Sequence, residues 1–231
     1  MTSLTVTING RVYGPREVRE DLTMNDFLRE YLGMTGTKFG CGAGQCLSCA
    51  IIVDGADGTS YTSPTCIVPA ASFNGMSIRT VEGHAKDGAL TTLQKAFIAH
   101  FAFQCGYCTA GFLNEGQVLL ERLAKSPVAR ADLEKMIAEA LDGHLCRCTG
   151  YIKYHEAVRE VILAAPLRRG LRIVAAGEDK QSYLNNYQPA IAMLDVVGRS
   201  GAAAQSTGAP WQRLPGLRSE REVARRLICV S

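Results

Sequence analysis

The chain has 231 residues, 47% hydrophobic and 20% charged, with a formal net charge of +3, and this length is enough for one or two small domains. No apolar run reaches the roughly 18 residues of a membrane-spanning helix, and no apolar block follows Met1 as in a secretory signal peptide. The sequence has no cluster of five or more lysines and arginines, which argues against nucleic acid as a partner.

The N-terminal residues show the pattern of a β-hairpin followed by a helix. Apolar and polar residues alternate over 4–8 as in a half-buried strand, and Asn9-Gly10 is a favoured two-residue turn into a second strand over 11–18. Thr23 stands at the capping position of the next predicted helix. The apolar face of that helix consists of Met24, Phe27, Leu28, Tyr31 and Leu32.

The segment after this helix carries four cysteines with the spacing C-x4-C-x2-C and a fourth cysteine after sixteen further residues. They are Cys41, Cys46, Cys49 and Cys66. Three thiolates in one loop with a distant fourth form the plant-type arrangement for a [2Fe–2S] cluster. Such a loop must turn tightly and bring backbone N–H groups close to the sulfurs. Glycines allow this, and the loop contains Gly40, Gly42 and Gly44.

Short strands are predicted beyond the cysteine loop, over 50–53 and 77–81. Together with the hairpin and the first helix they make a small α+β unit, to which we assign residues 1–82.

From residue 83 to residue 165 the apolar residues recur with a helical period and predict four helices, whose stripes we interpret as the core of a bundle. The second helix should end before Ser126-Pro127 and the third at Gly143. The four stripes are Leu93, Ala96, Phe97 and Phe101; Leu113, Leu120 and Leu123; Leu133, Ile137, Ala140 and Leu141; and Tyr154, Val158, Val161 and Ala165.

A second set of four cysteines lies in the links between these helices, with the spacing C-x2-C, then thirty-seven residues, then C-x-C. They are Cys105, Cys108, Cys146 and Cys148. Each pair comes shortly before a helix N-terminus, where the helix dipole and free N–H groups favour a negatively charged group. Four thiolates at one end of a bundle could also hold zinc, so the placement leaves both metals as alternatives. Disulfides suit secreted chains and are disfavoured here.

The last 66 residues, 166–231, differ in composition from the rest. They hold 10 of the 25 lysines and arginines but only 5 of the 22 acidic residues. We predict an extended basic tail that docks on another subunit, with a loosely held appendage as the alternative. Cys229 lies in this tail and is interpreted as an idle thiol.

With both cysteine sets in place, residues 1 to about 165 resemble the small iron–sulfur subunit of the molybdenum hydroxylases, the family of xanthine dehydrogenase and aldehyde oxidoreductase. The resemblance is carried by KFGCGAGQC over 38–46, QCGYCT over 104–109 and LCRCTGY over 145–151. It implies a plant-ferredoxin-like β-grasp domain over 1–82 and a four-helix bundle over 83–165, with one [2Fe–2S] cluster in each. Leu47-Ser48 stands where the family commonly has Gly-Ala, which removes no ligand.

The resemblance further implies an electron-transfer role without substrate chemistry in this chain, so we assign it no catalytic residue. A separate large subunit would carry molybdopterin and oxidise an aldehyde or an N-heterocycle. Single electrons would then pass through the helical-domain cluster and the β-grasp cluster to an FAD-binding or cytochrome c-type subunit, so that FAD or haem belongs to a partner. Gln104 matches the family residue that contacts the pterin, and Cys148 matches the ligand nearest to it.

Two other functions are alternatives at this point: a free-standing ferredoxin with a helical appendage, and a zinc-stabilised interaction protein. The expected location is cytoplasmic, unless a partner subunit carries the chain to or across a membrane. No transmembrane segment of the chain's own is expected.

Overall fold

A five-stranded mixed sheet forms the N-terminal part of the protein in the computed structural model, which describes residues 1–126 and 128–164. The strands lie in the order β2-β1-β5-β3-β4, with β1 and β5 parallel and the other neighbours antiparallel. Their bounds are Thr2–Ile8 (β1), Arg11–Val18 (β2), Ala50–Asp54 (β3), Ser60–Pro64 (β4) and Ser77–Arg79 (β5). The predictions for the tail over 166–231 and for Cys229 lie outside the described residues.

The predicted hairpin between β1 and β2 is confirmed at its turn. Asn9 and Gly10 both have a positive φ, 52° and 81°, as a two-residue turn that matches the twist of the strands requires. The alternation along β1 is also confirmed, because Leu4, Val6 and Ile8 are almost fully buried in the core beneath the sheet. The local pattern therefore specifies both the turn and the inner face of this strand.

Two strands differ from the prediction. The strand predicted over 77–81 ends at Arg79, and Val81–Gly83 forms a 3₁₀ turn instead. β4 was not predicted, because its sequence SYTSP lacks the alternation of apolar and polar residues that marks a half-buried strand. β4 is an edge strand that pairs with β3 alone, where its terminal Pro64 is tolerated.

The helix predicted after Thr23 is present but is not a regular α-helix. Thr23 Oγ1 accepts a hydrogen bond from the N–H of Asp26 and caps a short helix over Met24–Asp26 (α1). The chain then continues as a π-helical turn over Phe27–Tyr31. Much of the predicted apolar face is nevertheless buried, namely Met24, Phe27 and Leu28.

Four longer helices follow and share one hydrophobic core. They span Thr92–Ala99 (α2), Thr109–Lys125 (α3), Leu133–Leu141 (α4) and Tyr151–Ala164 (α5). The prediction was wrong for Phe101, which lies beyond the end of α2 at a φ of 50° and is 76% exposed. None of the described helices is long and apolar enough to cross a membrane. The assignment of these helices to a four-helix bundle stays a prediction.

The sheet and the helices have separate hydrophobic cores that divide between Ile78 and Val81. This division lies close to the predicted boundary at residue 82. All the described residues nevertheless belong to one compact unit, so the domain bounds themselves stay predictions.

Polar contacts join α3 to the sheet. The guanidinium of Arg79, at the end of β5, donates to Asp54 of β3 at 2.8 Å and to Glu121 of α3 at 2.7 Å. Asn114 of α3 donates from its side-chain amide to the carbonyl oxygen of Ala50 at 2.7 Å. The two carboxylates hold the pKa of Arg79 above its ordinary value, chiefly through the hydrogen bonds to Glu121. Arg79 therefore links two strands and one helix through a single charged group.

We expect Arg79→Ala to lower the free energy of unfolding by about 2 kcal/mol, because two half-buried carboxylates lose their partner. Urea denaturation of the purified chain measures this change. Lys135→Ala is the matched control, since Lys135 forms a surface pair with Glu139 at 3.8 Å, and its loss should cost less than about 0.5 kcal/mol. Equal changes in the two variants would contradict the linking role of Arg79.

Candidate iron–sulfur centres

The first four cysteines meet where the cysteine loop joins β3 and β4. Cys49 comes directly before β3, and Cys66 comes shortly after β4. The antiparallel register pairs Ala50 with Pro64, so it brings these two cysteines to the same end of the strand pair. Three of the four cysteines are buried and one is exposed, and in chain order they are Cys41 (exposed), Cys46, Cys49 and Cys66.

Backbone N–H groups point at the sulfurs of this loop. Cys41 Sγ accepts hydrogen bonds from the N–H groups of Ala43 at 3.3 Å and of Gln45 and Cys46 at 3.4 Å. These three donors, with the N–H of Cys46 the strongest, lower the pKa of the Cys41 thiol to about 6. At neutral pH the sulfur is therefore mostly the thiolate that binds iron.

Burial has the opposite effect on the last cysteine of this set. It raises the pKa of Cys66 to about 11, although the N–H of Gly44 donates to its sulfur at 3.4 Å. Metal binding must therefore displace a proton from this buried thiol.

The three predicted glycines lie where a side chain would disturb the loop. Gly42 and Gly44 have φ values of 67° and 69°, in the left-handed region that favours glycine. A Cβ at Gly40 would lie 2.7 Å from Cys46 Sγ, which is too close for the loop to keep its shape. These positions fit a loop wrapped around a cluster, while direct contact of the glycines with a cluster stays a prediction.

Leu47, in the same loop, has a φ of 56°. A left-handed conformation is unusual for a leucine, and this is the position at which the family commonly has glycine. The departure from the family pattern therefore falls at a special backbone position, of which the leucine side chain gives no local signal.

The second set of cysteines lies at the N-terminal ends of α3 and α5, as predicted. Cys108 is the residue directly before α3, and Cys146 and Cys148 lie in the turn before α5. The N–H of Gly150 donates to Cys146 Sγ at 3.3 Å. The N–H of Cys105 lowers the pKa of Cys148 from its ordinary value. The second set thus also receives backbone donors of the kind that a negatively charged cluster requires.

A cavity of about 460 Å³ lies against both cysteine sets. Its walls include Cys46 from the first set and Cys105, Cys108 and Cys146 from the second. A backbone hydrogen bond joins the segments that carry the two sets: the N–H of Leu145 donates to the carbonyl oxygen of Cys46 at 3.1 Å. Only the peptide bond to Cys146 separates that donor residue from a cysteine of the second set.

The donor sets fit two-iron clusters. Within the described ranges 1–126 and 128–164, no three histidine, cysteine or acidic side chains are grouped as ligands of a single metal ion. A [2Fe–2S] cluster requires four thiolates shared between two irons, so its ligands need not converge on one point. Each location has four cysteines, and backbone N–H groups donate to sulfurs in both sets, which is the chemistry that this group needs.

The two residues matched to the pterin are brought together at the surface. The side-chain amide of Gln104 donates to the carbonyl oxygen of Cys148 at 2.8 Å. Gln104 is exposed and Cys148 is half-buried, so both can be reached by another subunit. Their contact with a pterin stays a prediction.

The structure adds contacts near the second set that the sequence did not reveal. The hydroxyl oxygen of Tyr154 lies 3.4 Å from Cys108 Sγ, whereas the apolar stripe had marked Tyr154 only as a core residue. Burial raises the pKa of Cys108 to about 12 and that of Tyr154 above its ordinary value. His144 is fully buried against the ring of Phe112 at 4.9 Å, and burial lowers its pKa to about 4. His144 is therefore a neutral structural residue.

Comparisons with known proteins support the binding of an iron–sulfur cluster. A family described as "2Fe-2S iron-sulfur cluster binding domain" matches residues 6–71, and one described as "[2Fe-2S] binding domain" matches residues 80–159. The nicotine 6-hydroxylase small subunit of Paenarthrobacter nicotinovorans is 44% identical, over 71% of this chain and 88% of its own. The nicotinate dehydrogenase small FeS subunit of Eubacterium barkeri is 39% identical, over 68% of this chain and 95% of its own.

A solved structure is similar over the same part of the chain. It is the crystal structure of quinoline 2-oxidoreductase from Pseudomonas putida 86, with a TM-score of 0.61 and 38% identity. The match covers 74% of this chain and 98% of that chain. Sequence and fold therefore point to the same group of proteins.

Proposed function

The chain belongs to the family of small iron–sulfur subunits of the molybdenum hydroxylases, and we propose that it relays single electrons through two [2Fe–2S] clusters. As a member of that family it is the iron–sulfur subunit of a molybdenum-containing oxidoreductase. When bound, each cluster accepts and releases one electron at a time. The two cysteine sets would hold one cluster each.

The observation that carries the proposal is the direct connection between the two cysteine sets. Cys46 and Cys146 line one cavity, and the hydrogen bond from Leu145 to the carbonyl oxygen of Cys46 spans the gap between their backbones. Two separate zinc sites would have no need of such a connection. It supports an exchange of electrons between the two centres.

The direction of the relay is taken from the family resemblance, and exposed residues near each set would allow a partner to approach. Gln104 and Cys148 lie at the surface on the side of the second set, and the resemblance assigns this side to the molybdopterin of a large subunit. Cys41 of the first set is exposed, so electrons can leave there to an FAD-binding or cytochrome c-type subunit. The cysteines of this chain hold both clusters, and its residues carry out no bond chemistry on the substrate.

The substrate class is proposed from the relatives. Their names refer to nicotine, nicotinate and quinoline, which are N-heterocycles, so we propose that the large subunit oxidises an N-heterocycle or an aldehyde. The binding pocket for it would lie in that subunit. We also propose a cytoplasmic location for the complex.

We expect the purified protein to contain about four irons and about four acid-labile sulfides per chain and to copurify with a molybdenum-containing large subunit. Metal and sulfide analysis with mass spectrometry of the copurifying chains measures this. About two zinc ions in a colourless protein would support the zinc-stabilised alternative. A monomer with both clusters and no large subunit would support the free-standing ferredoxin.

A further inference from the structure

Tyr154 places a hydroxyl group beside a cysteine of the second set. It lies on α5 and its side chain is 1% exposed. The hydroxyl oxygen is 3.4 Å from Cys108 Sγ and 2.9 Å from Thr109 Oγ1. Backbone N–H groups also donate to cysteine sulfurs in both sets, so Tyr154 adds a side-chain hydroxyl to this surrounding of backbone donors.

Packing fixes the position of this hydroxyl. The ring of Tyr154 is stacked on Phe112, with 3.9 Å between the ring centroids and 6° between the planes. Phe97 packs on it at 5.3 Å between centroids. Cys108 and Phe112 both lie at the N-terminal end of α3. The stacking on Phe112 therefore also holds the Tyr154 hydroxyl at a fixed distance from Cys108 Sγ.

The state of Cys108 decides the direction of the hydrogen bond. A cysteine bound to iron is a thiolate and has no proton to donate, so the Tyr154 hydroxyl must be the donor and Cys108 Sγ the acceptor. The hydroxyl of Thr109 can then donate to the oxygen of Tyr154. The result is a chain of hydrogen bonds that runs from Thr109 through Tyr154 to the sulfur.

We propose that Tyr154 raises the reduction potential of the helical-domain cluster by donating this hydrogen bond to Cys108 Sγ. Reduction adds one negative charge to the cluster, and a donor at sulfur stabilises the more negative state more strongly. The electron comes from the partner's pterin and leaves to the β-grasp cluster, while the hydroxyl proton stays on Tyr154. Tyr154 is thus a positioning residue that acts through Cys108, and its role rests on the proposed function.

The test is a redox titration of Tyr154→Phe in the full chain within its purified complex, followed by EPR of each cluster. The phenylalanine keeps the ring stacking and removes only the donor. We expect the equilibrium constant for reduction of the helical-domain cluster to fall about tenfold, which is a midpoint about 59 mV lower for a one-electron couple. The β-grasp cluster in the same molecules is the internal control, and its midpoint should not change.

Tyr61→Phe is the matched control, because Tyr61 is 52% exposed on β4 and should leave both midpoints unchanged. An unchanged midpoint of the helical-domain cluster in Tyr154→Phe, or an equal shift of both clusters, would overturn the proposal. Should Tyr154→Phe fail to load its cluster, 3-fluorotyrosine at position 154 gives the second measurement. Its phenol is a stronger donor, so we expect the midpoint to rise, and an unchanged or lower midpoint would overturn the proposal.

The cluster signals and iron content of the unmodified complex distinguish a failure of the proposed function from a failure of this inference. If the unmodified complex shows only one cluster signal and about two irons per chain, the proposed relay fails. If it shows both signals and Tyr154→Phe leaves the midpoints unchanged, only the role of Tyr154 fails.

Discussion

Replacing Cys108 with serine is expected to remove the cluster proposed for the second cysteine set and to leave the cluster proposed for the first set in place. Iron should fall from about four to about two per chain, and one of two reduced-cluster EPR signals should disappear. The reason is that Cys108 is buried at the start of α3, and a serine hydroxyl stays protonated at neutral pH and is a much poorer ligand of iron than a cysteine thiolate. Iron analysis and EPR of the reduced protein measure the effect.

The same variant should also stop the electron relay while leaving the large subunit intact. Reduction of the enzyme by substrate would continue at the partner, but transfer to the external acceptor would be lost. Cys229→Ser is the matched control, since Cys229 belongs to neither cysteine set, and it should keep about four irons. Loss of both signals together, or of neither, would contradict the assignment of the second set.

Replacing Gly111 with alanine is expected to lower the free energy of unfolding by about 3 kcal/mol, the upper end of the usual cost of overpacking. A Cβ at Gly111 would lie 2.2 Å from the carbonyl oxygen of Leu47. That oxygen is backbone and cannot move aside without moving the cysteine loop. In an ordinary helix the same substitution would raise the free energy of unfolding by about 0.5–1 kcal/mol. A decrease would therefore indicate the close contact between Gly111 and Leu47.

Gly116→Ala provides the comparison on the same helix. Its Cβ would lie 3.1 Å from Leu93 Cδ2 and 3.3 Å from Val158 Cγ2, which are side-chain atoms that can yield slightly. We expect a change within about 1 kcal/mol of the parent, measured by urea denaturation of both variants. Similar losses in the two variants would show that the contact between α3 and the cysteine loop is not the cause.

Much of the fold and of the candidate site follows from short-range patterns in the sequence. The turn at Asn9 and Gly10 and the cap at Thr23 depend on neighbouring residues, so local spacing predicts them. The two cysteine sets can also be recognised from the sequence, because the chemistry of a cluster fixes the number and the spacing of its thiolates.

The remaining features depend on contacts between residues far apart in the chain. Gly111 lies against Leu47, and Tyr154 lies against Cys108, and no local pattern in the sequence records either approach. β4 was missed because its sequence, SYTSP, has no alternation of apolar and polar residues. The π-helical turn after α1 was missed because the same apolar stripe suits helices of slightly different pitch.

The helix α3 has a consequence for how the chain can be divided. One side of α3 covers β3. In that strand Ile52 is fully buried and points to the opposite face of the sheet from Ile51 and Val53. Another side of α3 completes the hydrophobic core of the helices. Neither half can therefore denature without uncovering a surface that belongs to the other. A gene fragment that stops at residue 82 would uncover Ile52 and leave Arg79 without Glu121 of α3, so we expect the sheet and the helices to unfold as a single cooperative unit.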